Sequence, residues 1–272
     1  YVPMAGIVIA FQDYKPWLGF AGSPWVGLAH FRRFFSNPYS LSVIWNTLII
    51  AVMKIIFGLI VPVLFALQLN EIRAERAKKA VQTMVYLPHF LSWVILAGIL
   101  KDILSVDGGI VNQIIEALGG DPIFFFGDGN WFRVVVIVSD IWKEFGFNTI
   151  VYLAALTSVD TALYEAAMID GAGRWKQTIH ITLPSIAPII TVMLTLSLGN
   201  VLNAGFDQIY NLYSPMVYDK GDIIDTFVYR TSIVQADMSY GAAVGIFKSV
   251  VALILIVTSY KLADKLAGYR IF

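Results

Sequence analysis

Residues 43–69 read VIWNTLIIAVMKIIFGLIVPVLFALQL, an almost uninterrupted apolar run in which Lys54 is the one ionisable side chain. About 20 apolar residues suffice for an α-helix to cross the hydrocarbon core of a bilayer, which is about 30 Å thick. Further long apolar runs follow at 81–104, 132–159, 185–210 and 241–262. None of them alternates apolar and polar residues in segments of about ten, as the strands of a membrane β-barrel do. The sequence therefore predicts an all-α membrane protein, a polytopic helical bundle that lies in the lipid bilayer.

The composition supports the same fold class. Of 272 residues, 58% are apolar and 14% are charged, and the mean hydropathy is +0.71. Soluble domains have about 45–50% apolar and about 25% charged residues. The 19 basic and 19 acidic side chains cancel, so no global field favours a nucleic-acid partner. The chain has no cysteine, and its three histidines are far apart in sequence, so we predict no disulfide, no metal site and no cysteine nucleophile.

Basic residues in the connections indicate the orientation. The connections after the first and third apolar runs, and the tail after residue 262, hold more Lys and Arg than the opposite connections do. Such residues favour the cytoplasmic side, so the loop 160–184 and the C-terminal tail are predicted to be cytoplasmic. Residues 1–11 are apolar and follow no basic segment, and we expect them to be the outer end of a first span whose body precedes residue 1. Residues 1–272 are predicted to form a single transmembrane domain.

The loop 160–184 contains the most specific pattern in the chain. Its residues 165–184 read EAAMIDGAGRWKQTIHITLP. The residues around the Glu-Ala-Ala triplet favour a helix, which either Asp160 or Thr161 is placed to cap. Gly171 is expected to end this helix, because glycine accepts the backbone angles of a sharp turn.

A second short helix is predicted after the turn, over residues 174–181. Pro184 follows at a position that suits the first turn of the next membrane span. The loop is thus expected to form a helix–turn–helix on the cytoplasmic face, with exposed ends that can dock into a groove on another protein. The alternative is a structural elbow that merely joins two spans.

The spacing within this loop matches a known family pattern at every position. The pattern is Glu-Ala-Ala, three residues, Gly, nine residues, Ile, one residue and Leu-Pro. In this the loop resembles the EAA loop of permease subunits in binding-protein-dependent, type I ABC importers, where the segment is the coupling helix that sits in a cleft of the ATP-hydrolysing subunit. The resemblance implies that the ATPase-coupling residues here are Glu165, Ala166, Ala167, Asp170, Gly171, Trp175, Ile181, Leu183 and Pro184.

The resemblance covers nearly the whole chain and is closest to the sugar-importer branch. It is carried further by VPM at 2–4, FDQIY at 206–210 and IDTFVYR at 224–230, which look like the permeases for complex or acidic oligosaccharides of the alginate type. It implies a prokaryotic inner-membrane location, a sugar or oligosaccharide substrate, a second permease subunit in a heterodimer, two ATP-binding cassette ATPase subunits and an extracytoplasmic solute-binding protein. No cofactor is implied for this chain, because the partner ATPase subunits bind ATP and Mg.

Ionisable side chains lie in the middle of the third apolar run. A charge near mid-bilayer costs about 2.5–3.5 kcal/mol on insertion scales and therefore usually faces protein or water. Asp140 and Lys143 are spaced to pair on one helix face, and Lys143 is also placed to bridge Asp140 and Glu144. Two interpretations remain open for Lys143 and Glu144, a neutralised structural cluster between helices and a role in lining the translocation path.

Polar side chains also recur in the fourth run. Asn200, Asn203 and Asp207 have helical spacing and are predicted to line one face of a helix. Amides and a carboxylate in one stripe suit hydrogen bonding to sugar hydroxyls along a wet path, but such groups also hold neighbouring helices together in bilayers. Both interpretations stay open. These three residues, with Lys143 and Glu144, form the candidate translocation path.

Two other classes of protein fit the sequence less well. Asp140 and Glu144 are the one carboxylate pair inside an apolar run, and neither a catalytic set nor a Walker phosphate loop (Gly, four residues, Gly-Lys-Ser/Thr) is present in the sequence. The chain is therefore not predicted to be an enzyme. Secondary transporters often contain internal repeats, and no convincing repeat is present here.

Overall fold

The computed structural model describes the backbone of residues 2–267 and the side chains of residues 4–258, 260 and 261. In this part of the chain the backbone is helical, apart from the connections and one isolated antiparallel bridge between Gln12 and Trp25. The predicted all-α fold class is confirmed. The end of the predicted cytoplasmic tail, residues 268–272, lies outside the described residues.

Fourteen α-helices are present within residues 2–267. They are α1 (Gly19–Gly22), α2 (Ala29–Ser36), α3 (Pro38–Asn70), α4 (Glu75–Tyr86), α5 (Trp93–Ile103), α6 (Ile110–Ala117), α7 (Gly129–Thr157), α8 (Thr161–Ile169), α9 (Arg174–Gln177), α10 (Leu183–Gly199), α11 (Phe206–Leu212), α12 (Tyr218–Gly221), α13 (Ile224–Tyr229) and α14 (Met238–Ala267). Segments of 3-10 helix cover Val2–Phe11, Leu87–Phe90 and Pro215–Val217, and π turns cover Thr178–Thr182 and Arg230–Val234. The first of these segments lies where the outer end of an α-helical span was expected.

Three helical segments of the described residues are long and apolar enough to cross a bilayer, namely Pro38–Asn70, Arg174–Gly199 and Met238–Thr258. They contain most of the first, fourth and fifth predicted runs. The broken pair α4 and α5 adds a fourth if it is counted as one span. With 29 residues α7 is also long enough to cross a bilayer. Three ionisable side chains in its middle, however, make its composition too polar for a membrane span. The other segments already make the chain multi-pass, and whether α7 adds a further span depends on how its charges are paired.

The second apolar run is not the single helix expected for 81–104. Its first helix, α4, ends at Tyr86, and Ser92 then starts α5 by accepting a hydrogen bond from the Ile95 N–H at 3.3 Å. Between them, Pro88 has no N–H and cannot continue the hydrogen-bond ladder of an α-helix. Serine is among the favoured N-cap residues, so the chain stops one helix and begins another inside the run.

The fourth apolar run also departs from the single helix expected for 185–210. Its helix, α10, ends at Gly199, and α11 follows only after Gly205. Gly205 has a φ of 101°, a left-handed conformation that glycine adopts without steric cost. The break means that the three polar residues of this run do not share one face of a continuous helix, so that prediction is wrong. The residues concerned are Asn200, Asn203 and Asp207.

The described residues group into two compact units, where the sequence predicts one domain. The first unit comprises 2–52, 92–137 and 201–254, and the second comprises 53–91, 138–200 and 255–267. The core of the first unit is formed by Phe34, Val43, Ile224, Phe227, Tyr240 and Val244. The core of the second is formed by Val63, Ala66, Leu69, Tyr152, Leu153, Leu156 and Ile186. Three long helices, α3, α7 and α14, contribute a segment to each unit.

Candidate functional sites: the EAA loop and the polar clusters

The EAA loop, residues 160–184, begins with a capped helix. The Asp160 side chain accepts a hydrogen bond at 2.9 Å from a backbone N–H of the first turn, so Asp160 is the cap that α8 uses. At the other end, the Gly171 N–H donates to the Met168 carbonyl at 3.1 Å and the Ala172 N–H to the Ala167 carbonyl at 2.8 Å. These two bonds form the Schellman motif, which places Gly171 at a positive φ of 76°. The sharp turn predicted at Gly171 is present.

The second helix of the EAA loop does not stop at Ile181 as predicted. It begins at Arg174, passes through a π turn and continues without interruption into α10. In this wide turn the Leu183 N–H bonds to the Thr178 carbonyl, five residues back. Pro184 consequently lies inside a helical run and not at the first turn of a separate span. Because proline lacks an N–H and crowds the preceding turn, a widened turn just before it lets the helix continue.

Two contacts fix the EAA loop within the second unit. The Tyr164 hydroxyl lies 2.9 Å from the Oγ1 of Thr182, which is buried. Arg174 pairs with Glu71 at 2.8 Å, and both of these side chains are exposed. An exposed ion pair contributes about 0–1 kcal/mol to stability, so the partly buried hydroxyl pair is expected to be the firmer attachment.

Most of the predicted coupling residues are accessible. Glu165, Ala166, Asp170, Gly171, Trp175 and Pro184 are exposed, whereas Ala167, Ile181 and Leu183 are half-buried. Leu183 packs against the core of the second unit. Large apolar side chains add to the exposed surface, with exposed fractions of 59% for Met168, 87% for Ile169 and 76% for Trp175. Exposed apolar side chains of this size, next to carboxylates, are typical of a surface that binds another protein.

The ionisable side chains of α7 form pairs that differ from the predicted ones. Asp140 pairs with Lys54 of α3 at 3.0 Å, whereas Lys143 donates to Glu144 Oε1 at 2.8 Å and to the His89 carbonyl at 2.7 Å. The Nδ1 of His89 lies 2.7 Å from Glu144 Oε2. The predicted bridge from Lys143 to both carboxylates is therefore replaced by two salt bridges, and the partner of Asp140 comes from another helix.

The cluster around Lys143 also secures the break in the second apolar run. His89 belongs to the 3-10 turn Leu87–Phe90, and its ring stacks on Phe147 with 3.9 Å between the ring centroids. Lys143 is buried, and its ammonium group bonds to a carbonyl of that turn. A buried charge that is paired and hydrogen-bonded in this way is satisfied by protein. The geometry favours the structural interpretation for Lys143 and Glu144 over path lining.

The three polar residues of the fourth run are accessible. Asn200, Asn203 and Asp207 are all exposed, the first in the second unit and the other two in the first unit. Asn203 Oδ1 accepts a hydrogen bond from Lys248 Nζ at 2.8 Å, and Lys248 also pairs with Asp225 at 2.5 Å. Lys248, for which the sequence indicates no role, thus belongs to the surroundings of Asn203.

Sequence reasoning missed an ionic cluster in the first unit. Asp222 is fully buried, pairs with Arg230 at 2.5 Å and accepts a hydrogen bond from the Tyr39 hydroxyl at 2.5 Å. The guanidinium of Arg230 also lies 4.3 Å from the centroid of the Tyr218 ring. Burial alone lowers the pKa of Arg230, but its hydrogen bonds and ion pair with Asp222 outweigh that effect and raise the pKa. Tyr39 is remote in sequence from its partners, so no local sequence pattern predicts the cluster.

The chain is similar to known proteins over most of its length. Residues 58–267 match the family described as binding-protein-dependent transport system inner membrane component. The polygalacturonan/rhamnogalacturonan transport system permease protein YteP of Bacillus subtilis (strain 168) is 47% identical to it over 272 residues, which cover 100% of this chain and 85% of YteP.

Two solved structures resemble the chain closely. One is a bacterial ABC transporter involved in the import of the acidic polysaccharide alginate, with a TM-score of 0.90 and 41% identity over 98% of this chain and 90% of that chain. The other is a bacterial alginate ABC transporter in complex with an alginate pentasaccharide-bound periplasmic protein, with a TM-score of 0.89 and 41% identity over 97% and 88% of the two chains.

Proposed function

The chain belongs to the family of binding-protein-dependent transport system inner membrane components, and from this membership we propose how its parts serve an ABC importer. It is a transmembrane permease subunit of a sugar or oligosaccharide importer and a multi-pass protein of the bacterial inner membrane. Members of this family are transporter subunits and not enzymes. We propose that partner ATPase subunits bind ATP and Mg and hydrolyse the nucleotide, because this chain has no Walker phosphate loop.

The EAA loop is the proposed site of coupling to an ATPase subunit. The observation that carries this proposal is the exposure of Met168, Ile169 and Trp175 on a loop whose backbone is fixed by caps and a Schellman turn. Burial of these apolar side chains against a partner removes them from water, which stabilises the complex. Glu165 and Asp170, both exposed, add carboxylates that basic residues of the partner can pair with.

The continuous helix after the turn is proposed to transmit motion of the EAA loop to the membrane helix α10. Because Arg174 begins a helical run that continues through α10, a displacement of the loop moves the membrane helix with it. Packing of α10 in the core of the second unit, through Ile186 and its neighbours, keeps this segment stiff. Closure of the ATPase subunits is thus converted into movement of a membrane helix, as alternating access requires.

The proposed assembly contains this chain, a second and related permease subunit, two ATPase subunits and an extracytoplasmic solute-binding protein. The three or four spanning helices of the described residues are too few to enclose a path alone, which supports the second permease. The solute-binding protein is supported by the structure of the alginate transporter, which was solved together with a periplasmic protein.

Asn200, Asn203 and Asp207 are proposed to face the translocation path. All three are exposed, and polar side chains at the level of an apolar run are costly against lipid, so they face protein or water. Lys143 and Glu144 are assigned a structural role instead, because their charges are satisfied by each other and by His89.

The proposed substrates are oligosaccharides of acidic polysaccharides. The support is the similarity to YteP, named for polygalacturonan and rhamnogalacturonan transport, and to the alginate transporter. The test is to purify the complex through a tag on this chain, identify the ATPase subunits that accompany it, and reconstitute it in liposomes. Uptake is then compared for a galacturonate trisaccharide, an alginate trisaccharide and neutral maltotriose.

We expect uptake to require ATP and the solute-binding protein, and to favour an acidic trisaccharide over maltotriose by at least tenfold. Uptake that proceeds without an ATPase subunit contradicts the proposed energy coupling. A preference for maltotriose contradicts the proposed substrate class but leaves the importer assignment in place.

A further inference from the structure

Three aromatic rings of the first unit form a contiguous group, which we call the aromatic patch: Phe206 and Tyr210 of α11, and Tyr229 of α13. Phe206 and Tyr210 are stacked with 5.3 Å between centroids and 16° between planes. Tyr229 lies 5.0 Å from Tyr210 and 5.6 Å from Phe206. Tyr210 remains 41% exposed, so part of the patch is open to a binding partner.

Polar side chains border the aromatic patch, and we call them the polar rim: Asn203, Asp207, Asp225 and Lys248. Asp207 precedes Tyr210 by three residues on α11, and Asp225 precedes Tyr229 by four, so each carboxylate lies on the same helix face as a tyrosine. Lys248 links two members of the rim, because its ammonium group donates hydrogen bonds to both Asn203 and Asp225. The rim therefore offers amide and carboxylate oxygens beside the exposed ring of Tyr210 and the half-buried rings of Phe206 and Tyr229.

The buried face of α11 fixes the position of the aromatic patch. Gln208 is fully buried and its side-chain amide donates to the Val136 carbonyl at 2.7 Å. Ile209 and Leu212 are also buried. With this face of the helix packed, Asp207 and Tyr210 have to point outward. The patch is thus preformed, which reduces the entropy that a ligand has to overcome on binding.

Lipid is a poor occupant for this surface. Carboxylates, an ammonium group and an amide at the edge of the rings are costly in hydrocarbon, and a surface meant for acyl chains does not need them. Rings bordered by a few polar groups are instead characteristic of sites for small polar molecules with an apolar face.

We propose that the aromatic patch and the polar rim bind one sugar residue of the transported oligosaccharide, a step that rests on the proposed oligosaccharide import. The C–H groups on one face of a pyranose carry partial positive charge and stack on the negative face of an aromatic ring. The ring hydroxyls then lie at the edge, where the rim oxygens accept hydrogen bonds. Two carboxylates and one ammonium leave the rim with one net negative charge, so the rim does not attract the carboxylate of a uronic acid. Binding is expected to depend on ring stacking and on hydrogen bonds to sugar hydroxyls.

The test uses the absence of cysteine in residues 1–272, because Tyr210→Cys then creates the single thiol of this part of the subunit. The complex is reconstituted with its partners and treated with a water-soluble thiosulfonate reagent, and labelling is read by mass on this subunit. The probe is the galacturonate trisaccharide, or the alginate trisaccharide if only that one is transported. We expect saturating trisaccharide to slow labelling at least fivefold.

Three other outcomes overturn the proposal. If labelling proceeds at the same rate with and without sugar, the sugar does not cover position 210. Labelling only after the second permease is removed means that a protein interface covers it. Labelling only by a lipid-soluble maleimide means that lipid covers it.

Transport kinetics provide the second measurement. We expect Tyr210→Ala and Tyr229→Ala to raise the KM for uptake about tenfold with normal yield of the complex. Trp131→Ala is the matched control, because Trp131 is also 41% exposed, is aromatic and lies outside the patch. If the unmodified complex imports no oligosaccharide, the proposed function fails; if it does and the tyrosine variants behave like Trp131→Ala, only the sugar contact fails.

Discussion

The hydroxyl of Tyr164 lies 2.9 Å from the hydroxyl of Thr182, and this pair joins α8 of the EAA loop to the π turn that leads into α10. Tyr164 directly precedes the Glu-Ala-Ala triplet, and Thr182 is buried. A push on the exposed surface of α8 therefore reaches the membrane helix by two routes, the covalent chain and this hydrogen bond. We therefore expect the two helices of the loop to move together.

Tyr164→Phe is expected to weaken coupling without preventing assembly. The change removes one hydrogen bond, worth about 0.5–1.5 kcal/mol, and keeps the aromatic ring. We expect the amount of sugar imported per ATP hydrolysed to fall about two- to fivefold in proteoliposomes. Tyr14→Phe, in the first unit, is the control and should leave the ratio unchanged. An unaltered ratio in Tyr164→Phe shows that the covalent chain alone transmits the motion.

The turn of the EAA loop offers a matched pair of glycine substitutions. Gly171 has a φ of 76° and Gly173 a φ of −69°, and neither position has an atom within 4 Å of an added Cβ. A side chain at Gly171 is therefore opposed by backbone strain alone, about 1–2 kcal/mol. We expect Gly171→Ala to reduce binding-protein-stimulated ATP hydrolysis markedly and Gly173→Ala to reduce it little. Equal rates in the two variants contradict the requirement for the left-handed turn.

Charge reversal at Glu165 tests the proposed contact with the ATPase subunit. Glu165 is exposed, so Glu165→Lys should leave the fold intact while replacing attraction to a basic partner with repulsion. We expect fewer ATPase subunits to co-purify and stimulated hydrolysis to fall at least tenfold. Glu116→Lys, on an exposed position of α6, is the control for charge reversal in general. Normal hydrolysis in Glu165→Lys removes the coupling role from this residue.

What the sequence predicts well is what depends on local pattern. The apolar runs at 43–69 and 241–262 are helical because length and composition alone demand it in a bilayer. The cap at Asp160 and the turn at Gly171 follow from side-chain and backbone preferences that hold in any context. The helix class, and the first helix and turn of the EAA loop, therefore required no tertiary information.

What the sequence does not predict depends on contacts between distant positions. Asp140 is paired with Lys54, eighty-six residues away, and no spacing rule connects them. Ser92 starts a new helix inside an apolar run where hydropathy favours continuation. The end of α10 at Gly199 is equally hidden, since glycine is tolerated within membrane helices. In each case the structure depends on a distant partner or on a helix break that apolar composition does not reveal.

The orientation of the chain is testable with single cysteines, since residues 1–272 contain none. Ala77 lies in the first turn of α4, within the basic segment that follows α3, and Asp121 lies in the acidic connection before α7; both are exposed. The excess of basic residues predicts that Ala77 is cytoplasmic and Asp121 external. In sealed cells an impermeant thiol reagent should label Asp121→Cys and spare Ala77→Cys until the cells are opened. The reverse pattern would require the opposite orientation.

Asn203 distinguishes a path-lining role from a role in holding helices together. Its side-chain oxygen accepts a hydrogen bond from Lys248, which keeps a second partner in Asp225. Asn203→Leu therefore removes one of two bonds to Lys248 and leaves the ammonium paired. Since Asn203 is exposed, we expect the yield and thermal midpoint of the complex to stay near normal.

Transport should nevertheless fall clearly in Asn203→Leu, because an apolar side chain removes hydrogen bonds to sugar hydroxyls and narrows a wet passage. Asn203→Gln keeps the amide and should retain more uptake than Asn203→Leu, which a purely structural role at an exposed position does not predict. Normal uptake in the leucine variant contradicts the path-lining role. So does a loss of uptake that merely follows dissociation of the complex, since the residue then acts by joining helices.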